Sequence, residues 1–137
     1  MLKKDVKKGR GQRPLKIGEE IRHILADMLL RDEIGDPLLS NANVTVTEVR
    51  VSPDLKNATV YVLALSLMPE TEGEQLEKRP EKLDRKEILE HLNAAVWRFR
   101  QVIGGRMRMK FTPNLHFVFD ESFDYAARIN NLLLKVD

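Results

Sequence analysis

The sequence predicts a two-layer α+β domain in the order α-β-β-α-β-α, a three-stranded sheet with helices on one face. Three observations carry this reading. Two β-branched runs, 44–51 and 58–65, flank the turn sequence Ser52-Pro53-Asp54. A third apolar run, Leu115-His116-Phe117-Val118-Phe119, follows Thr112-Pro113-Asn114. Between the second and third runs, Leu89, Leu92, Val96, Phe99 and Ile103 recur at spacings of three and four, one stripe of a long helix. A chain of 137 residues holds one real core and is too short for two comfortable domains.

Taken in order, residues 1–13 are Lys- and Gly-rich with almost nothing to bury, and read as a flexible basic arm ahead of a single domain over 14–137. Pro14 opens a helix over roughly 15–32, with Ile17, Ile21, Ile24, Leu25, Met28 and Leu29 on its apolar side. Gly35-Asp36-Pro37 stops it. The hairpin follows, its second strand apolar on both faces in places and so the more central one. Residues 66–82 form an acidic, mobile connector broken by Pro69, Gly73 and Pro80. The long helix spans about 83–106 and the third strand 114–120. Ser122 can cap a last helix running to about Lys135.

The formal net charge of +2 hides a strong separation. Residues 1–16 carry net +6, residues 98–110 net +5 and residues 70–90 net −3. The candidate phosphate-binding residues are Lys3, Lys4, Lys7, Lys8, Arg10 and Arg13 in the arm, and Arg98, Arg100, Arg106, Arg108 and Lys110 at the end of the long helix. Two such segments form one footprint if the fold brings them together. The plainer reading is that cations near a helix C-terminus complement its dipole, and that charge runs are solvated faces.

No run of about eighteen apolar residues is present, and no apolar stretch follows the basic N-terminus as a secretory signal requires. There is no cysteine, which excludes disulfides, thiolate zinc sites and cysteine nucleophiles and fits a reducing cytoplasm. The one cluster of reactive groups is His116, Asp120 and Glu121, with His91 as a possible neighbour. His116 and Asp120 share a strand face but stand about 13 Å apart by strand rise, too far for one metal. Gly104-Gly105 lacks the companions of a phosphate loop. No catalytic residue, metal or cofactor is therefore expected. Trp97 lies beside arginines and off the apolar stripe, where it can stack on a base; packing against the arm, the connector or the last helix is the favoured alternative.

The runs Val44–Val62, Leu92-Asn93-Ala94-Ala95 with Arg98-Phe99-Arg100, Arg106–Phe117, Asp120-Glu121-Ser122 and Ile129–Leu133 resemble the ribosome-binding factor A family. Arg13-Pro14 and Asp36-Pro37 around the first helix match as well. The resemblance implies a type II KH-like fold and a non-enzymatic, cytoplasmic assembly factor acting as a monomer. Its implied partners are 16S rRNA and the free or immature 30S subunit, whose late maturation and end-processing it assists, with a link to growth in the cold. The rivals are a general single-stranded RNA-binding KH module, an rRNA-processing nuclease and a protein–protein adaptor. Family members break the central helix at an Ala-x-Gly; the matching positions here are Ala95, Val96 and Trp97. With no glycine, the helix is expected to run straight through them and to turn at Gly104-Gly105 instead.

Overall fold

The computed structural model describes residues 2–67 and 84–122, with side chains from Gln12 onward. Helix α1 (Leu2–Leu30) is followed by a short α2 (Pro37–Ala42). The hairpin β1 (Val44–Val51) and β2 (Asn57–Ala64) comes next, then one 3-10 turn at Leu65–Leu67. Helices α3 (Arg85–Ala94) and α4 (Val96–Met107) lead into β3 (Asn114–Phe119). The sheet order is β1-β2-β3, antiparallel between β1 and β2 and parallel between β2 and β3. This is the expected α+β arrangement, with β2 central. The acidic connector and the last helix lie outside the described residues, apart from helical backbone at Glu121 and Ser122.

Strand alternation sets the layers. Ala58, Val60, Val62 and Ala64 of β2 and Leu115 and Phe117 of β3 face the helices and are buried. Glu48, Arg50, His116 and Val118 lie on the open outer face. From the helices, Ile21, Leu25, Met28, Ile88, Leu92, Phe99 and Ile103 close one continuous core. Helix α1 comes so near β1 that a Cβ on Gly18 would sit 2.6 Å from the Val49 carbonyl oxygen, so only glycine fits there.

A bulge in β1 ties the sheet to the end of β3. Val46 pairs with Val62 and Glu48 with Tyr61, leaving Thr47 as the extra residue. Its hydroxyl donates to Asp120 Oδ2 at 2.6 Å. The Asp120 N–H continues the ladder to the Val62 carbonyl at 2.9 Å, and its carboxylate also accepts the Ser122 hydroxyl and, at 3.0 Å, the Ser122 N–H. Burial pushes this carboxyl up; the Ser122 and Thr47 hydroxyls, the Ser122 N–H and the charge of Arg50 outweigh it and hold the carboxyl below the ordinary aspartate value.

Because the folded value is the lower one, the stabilisation is complete above about pH 5 and fades as pH falls below about 4, the unfolded aspartate value. Asp120→Ala strands the Ser122 N–H and leaves the Thr47 hydroxyl only its longer bond to the Tyr61 carbonyl at 3.3 Å, and is expected to lower stability at neutral pH by about 1–3 kcal/mol. Urea unfolding across pH checks this, with the gap between variant and wild type narrowing towards about pH 3.

Three elements differ from the sequence reading. Helix α1 starts at Leu2 with Pro14 inside it, not at Pro14 behind a separate arm. Lysine and arginine are good helix formers and need no apolar stripe to adopt one, while Pro14 removes the single donor that would meet the Arg10 carbonyl. Asp36-Pro37 does not merely stop α1 but starts α2: the Asp36 carboxylate accepts the Leu38 N–H at 2.9 Å, and proline takes the first position.

The third difference is the central helix, which breaks at Ala95 and not at Gly104-Gly105. Ala95 has φ −97° and ψ 5°, outside helical values, and its N–H is shared between the carbonyls of His91 and Leu92 at 3.2 and 3.1 Å. Helix α4 restarts without a side-chain cap and runs through both glycines to Met107. The buried stripe is Ile88, Leu92, Ala95, Phe99 and Ile103, so Ala95 takes the core position expected of Val96, and Leu89 and Val96 sit at its margin. A small buried residue at the break lets the backbone itself approach the core, which a glycine is not needed to achieve. Gly104 has another use: a Cβ there would meet Thr112 Oγ1 at 2.8 Å, so glycine lets the following loop fold back on α4.

Candidate nucleic-acid interface

The fold brings the end of the N-terminal basic segment and the basic end of α4 to one groove. Its walls are α1 at Gln12–Ile17, the β1–β2 turn at Asp54–Lys56, and the loop from Arg108 to Thr112. Six cations line it (Arg13, Lys16, Lys56, Arg100, Arg108 and Lys110) against two carboxylates, Glu20 and Asp54, so the groove carries a positive field.

Each wall is set by local chemistry. In the turn, the Leu55 N–H donates to the Ser52 carbonyl at 2.8 Å, and Leu55 takes a left-handed φ of 64°. The Asp54 carboxylate turns inward to accept the Ser52 hydroxyl at 2.6 Å and the Lys56 N–H at 3.0 Å, and these bonds, the hydroxyl's first, hold it below its ordinary value. Asp54 thus fixes the turn that presents Lys56. The Asn114 N–H donates to the Lys56 carbonyl at 2.8 Å, which joins the turn to the start of β3.

The loop after α4 is held from two sides. Arg108 caps the helix in the left-handed region (φ 51°), its N–H on the Gly104 carbonyl. The Arg100 guanidinium donates to the Thr112 carbonyl at 2.8 Å and the Pro113 carbonyl at 3.1 Å. Between these anchors Phe111 is 73% exposed, with Lys110 Nζ 5.9 Å from its ring centre.

The sequence candidates therefore separate. Arg13, Arg108 and Lys110 line the groove and are exposed, and Arg100 lines it while its donors serve the loop. Arg106 points away, 3.5 Å from Asp27 and 3.9 Å from Glu33, and ties the end of α4 to α1. Arg98 donates to Gln101 at 3.2 Å and borders a second, smaller cleft with Trp97, Pro37 and His91. Lys3, Lys4, Lys7, Lys8 and Arg10 are on the helical backbone of α1, and their side chains lie outside the described residues. Trp97, expected to pack, is 68% exposed beside the helix break.

Lys16, Lys56 and Phe111 were not singled out as site residues by sequence reasoning. Phe111 carried a signal: an aromatic in a basic, proline-bounded loop, off any strand or helix stripe. The suspected acid–base cluster does not converge. His91 Nδ1 pairs with Asp36 Oδ2 at 2.6 Å, His116 Nε2 lies 3.4 Å from Asn57 Oδ1, and Asp120 bonds to Thr47 and Ser122. Among the described residues, no group of three or more His, Cys, Asp or Glu side chains is placed to hold a metal ion, and no helix is long and apolar enough to cross a membrane.

Comparison with known proteins bears on what the groove serves. The profile of the family Ribosome-binding factor A matches residues 13–133. The chain is 41% identical over 124 residues to the Ribosome-binding factor A of Novosphingobium aromaticivorans, covering 90% of this chain and 81% of that one. It is 42% identical over 122 residues to that of Hyphomonas neptunium, covering 89% and 82%. The crystal structure of ribosome-binding factor A from Thermus thermophilus superposes with a TM-score of 0.56 at 24% identity over 77% of this chain and 93% of that one, a likeness of fold.

Proposed function

The chain belongs to the ribosome-binding factor A family, and from that premise we propose that it binds the immature 30S ribosomal subunit through the groove between α1 and the loop after α4. There it contacts 16S rRNA and assists its late maturation and end-processing. It works by binding, as a cytoplasmic monomer without cofactor or metal, and not as a nuclease. The observation that carries the reading is the convergence of Arg13, Lys16, Lys56, Arg108 and Lys110 on one groove. A field of that kind suits a phosphate backbone and draws it in over several ångströms.

Co-sedimentation of the full chain with immature small subunits, mature small subunits and free 16S rRNA tests this. Binding to immature subunits above the other two is expected. With about six phosphates neutralised, log K against log salt should fall with a slope of roughly −4 to −5. A slope near zero, or equal retention on naked 16S rRNA, contradicts the proposal. Precursor ends shortened by the protein alone with divalent metal would favour a nuclease instead.

A further inference from the structure

We infer that the groove receives a single strand of RNA and that Phe111 is the platform on which one unpaired base stacks. The inference rests on the ribosomal reading for its RNA, and deepens it by naming the form of RNA the site takes. A phenylalanine ring that is 73% exposed has apolar surface available to a ligand. Its loop is not slack. Arg100 holds the carbonyls on the far side of the ring, Gly104 lets Thr112 close onto α4, and Arg108 caps the helix on the near side. The backbone on both sides of Phe111 is thus held before any ligand arrives, which reduces the ordering that binding must supply.

The surroundings state what covers it. Lys110 stands 5.9 Å from the ring centre, and Arg108 and Lys56 line the same groove. An aromatic face set among cations meets the two needs of a nucleic-acid strand at once: a base to stack and phosphates to neutralise on either side. A duplex meets only the second need. Its base faces are covered by their neighbours, and its deep groove excludes side chains, so the ring would have nothing to stack on. An acidic protein segment would engage the cations but gains no stacking from the ring.

The test uses the full chain and a labelled RNA of about ten nucleotides, a length one single-strand module covers, both alone and annealed to its complement. Phe111→Ala should weaken single-strand binding by roughly 5- to 150-fold, the loss of one stacked base, and leave duplex binding unchanged. Thermal unfolding should match wild type because the ring is exposed. As a second readout, Phe111→Trp in a Trp97→Phe background should be quenched by the single strand and not by the duplex.

Equal single-strand binding by Phe111→Ala and wild type, equal losses on single strand and duplex, or an unquenched Trp probe each overturn the inference. So does a wild-type chain that binds no single strand, which would turn the groove over to a protein partner. Co-sedimentation with immature subunits, run alongside, separates the two levels. Retained there, the ribosomal reading stands without the platform; lost there, the reading itself falls.

Discussion

Reversing Lys16, Arg108 and Lys110 together to glutamate is expected to weaken binding to immature small subunits by about a hundredfold at physiological salt, with the fold intact. Each exposed, screened contact with phosphate contributes about 1 kcal/mol to that loss. These three cations come from two walls of the groove, so their joint loss removes the field and not one contact. The salt slope should flatten by about 2, close to 0.7–0.9 for each phosphate no longer engaged. Arg106 is not an equivalent probe. It sits against Asp27 and Glu33, and a glutamate there would set three carboxylates together and loosen the junction of α4 with α1. A triple variant that binds as wild type would exclude the groove as the binding surface. Equilibrium binding over a salt series, with circular dichroism as the control for folding, is the measurement.

Phe99→Ala carries the largest expected effect on stability, a loss of about 3–5 kcal/mol. Phe99 is the largest fully buried side chain among the described residues. Its ring centre lies 5.4 Å from that of Phe117, tilted by 47°, so it joins α4 to the middle of β3. It also follows the break at Ala95 by one turn, where the Phe99 N–H returns to the Ala95 carbonyl at 3.1 Å. Removing the ring leaves a cavity where α4 first locks to the sheet. Marginal domains tolerate few such losses, and the melting temperature should drop by roughly 10–20 °C. A shift of only a degree or two would show that α4 is held elsewhere. Subunit binding measured below the lowered melting point should be little changed, which separates the core from the interface.

Much of the fold was legible because its signals are local. The alternation of Val44–Val51 and the turn residues Ser52-Pro53-Asp54 specify a hairpin whatever surrounds them. The bulge at Thr47 was not legible, since it answers to Asp120, 73 positions away. Nor was the break at Ala95. An alanine is a strong helix former, so the departure of this buried residue from helical geometry does not follow from local preference. The basic segments were read as one possible footprint, and the groove joins their ends. Which cations keep their charge free could not be read. Arg100 and Arg106 look like Arg108 in sequence, but one holds the Thr112 and Pro113 carbonyls and the other meets Asp27, 79 positions away. Long-range partners decide a cation's role, and no spacing rule reports them.

The groove's contact with 16S rRNA is tested most directly by site-specific photocrosslinking in the complex with immature small subunits. A photoreactive residue replaces Lys56 on the groove wall in one protein, and Val118 on the open face of the sheet in another. Adducts to 16S rRNA are expected from position 56, suppressed by high salt, and none from position 118. RNA adducts from position 118 with none from position 56 would contradict the groove as the RNA contact and place the ribosomal surface on the opposite side of the domain.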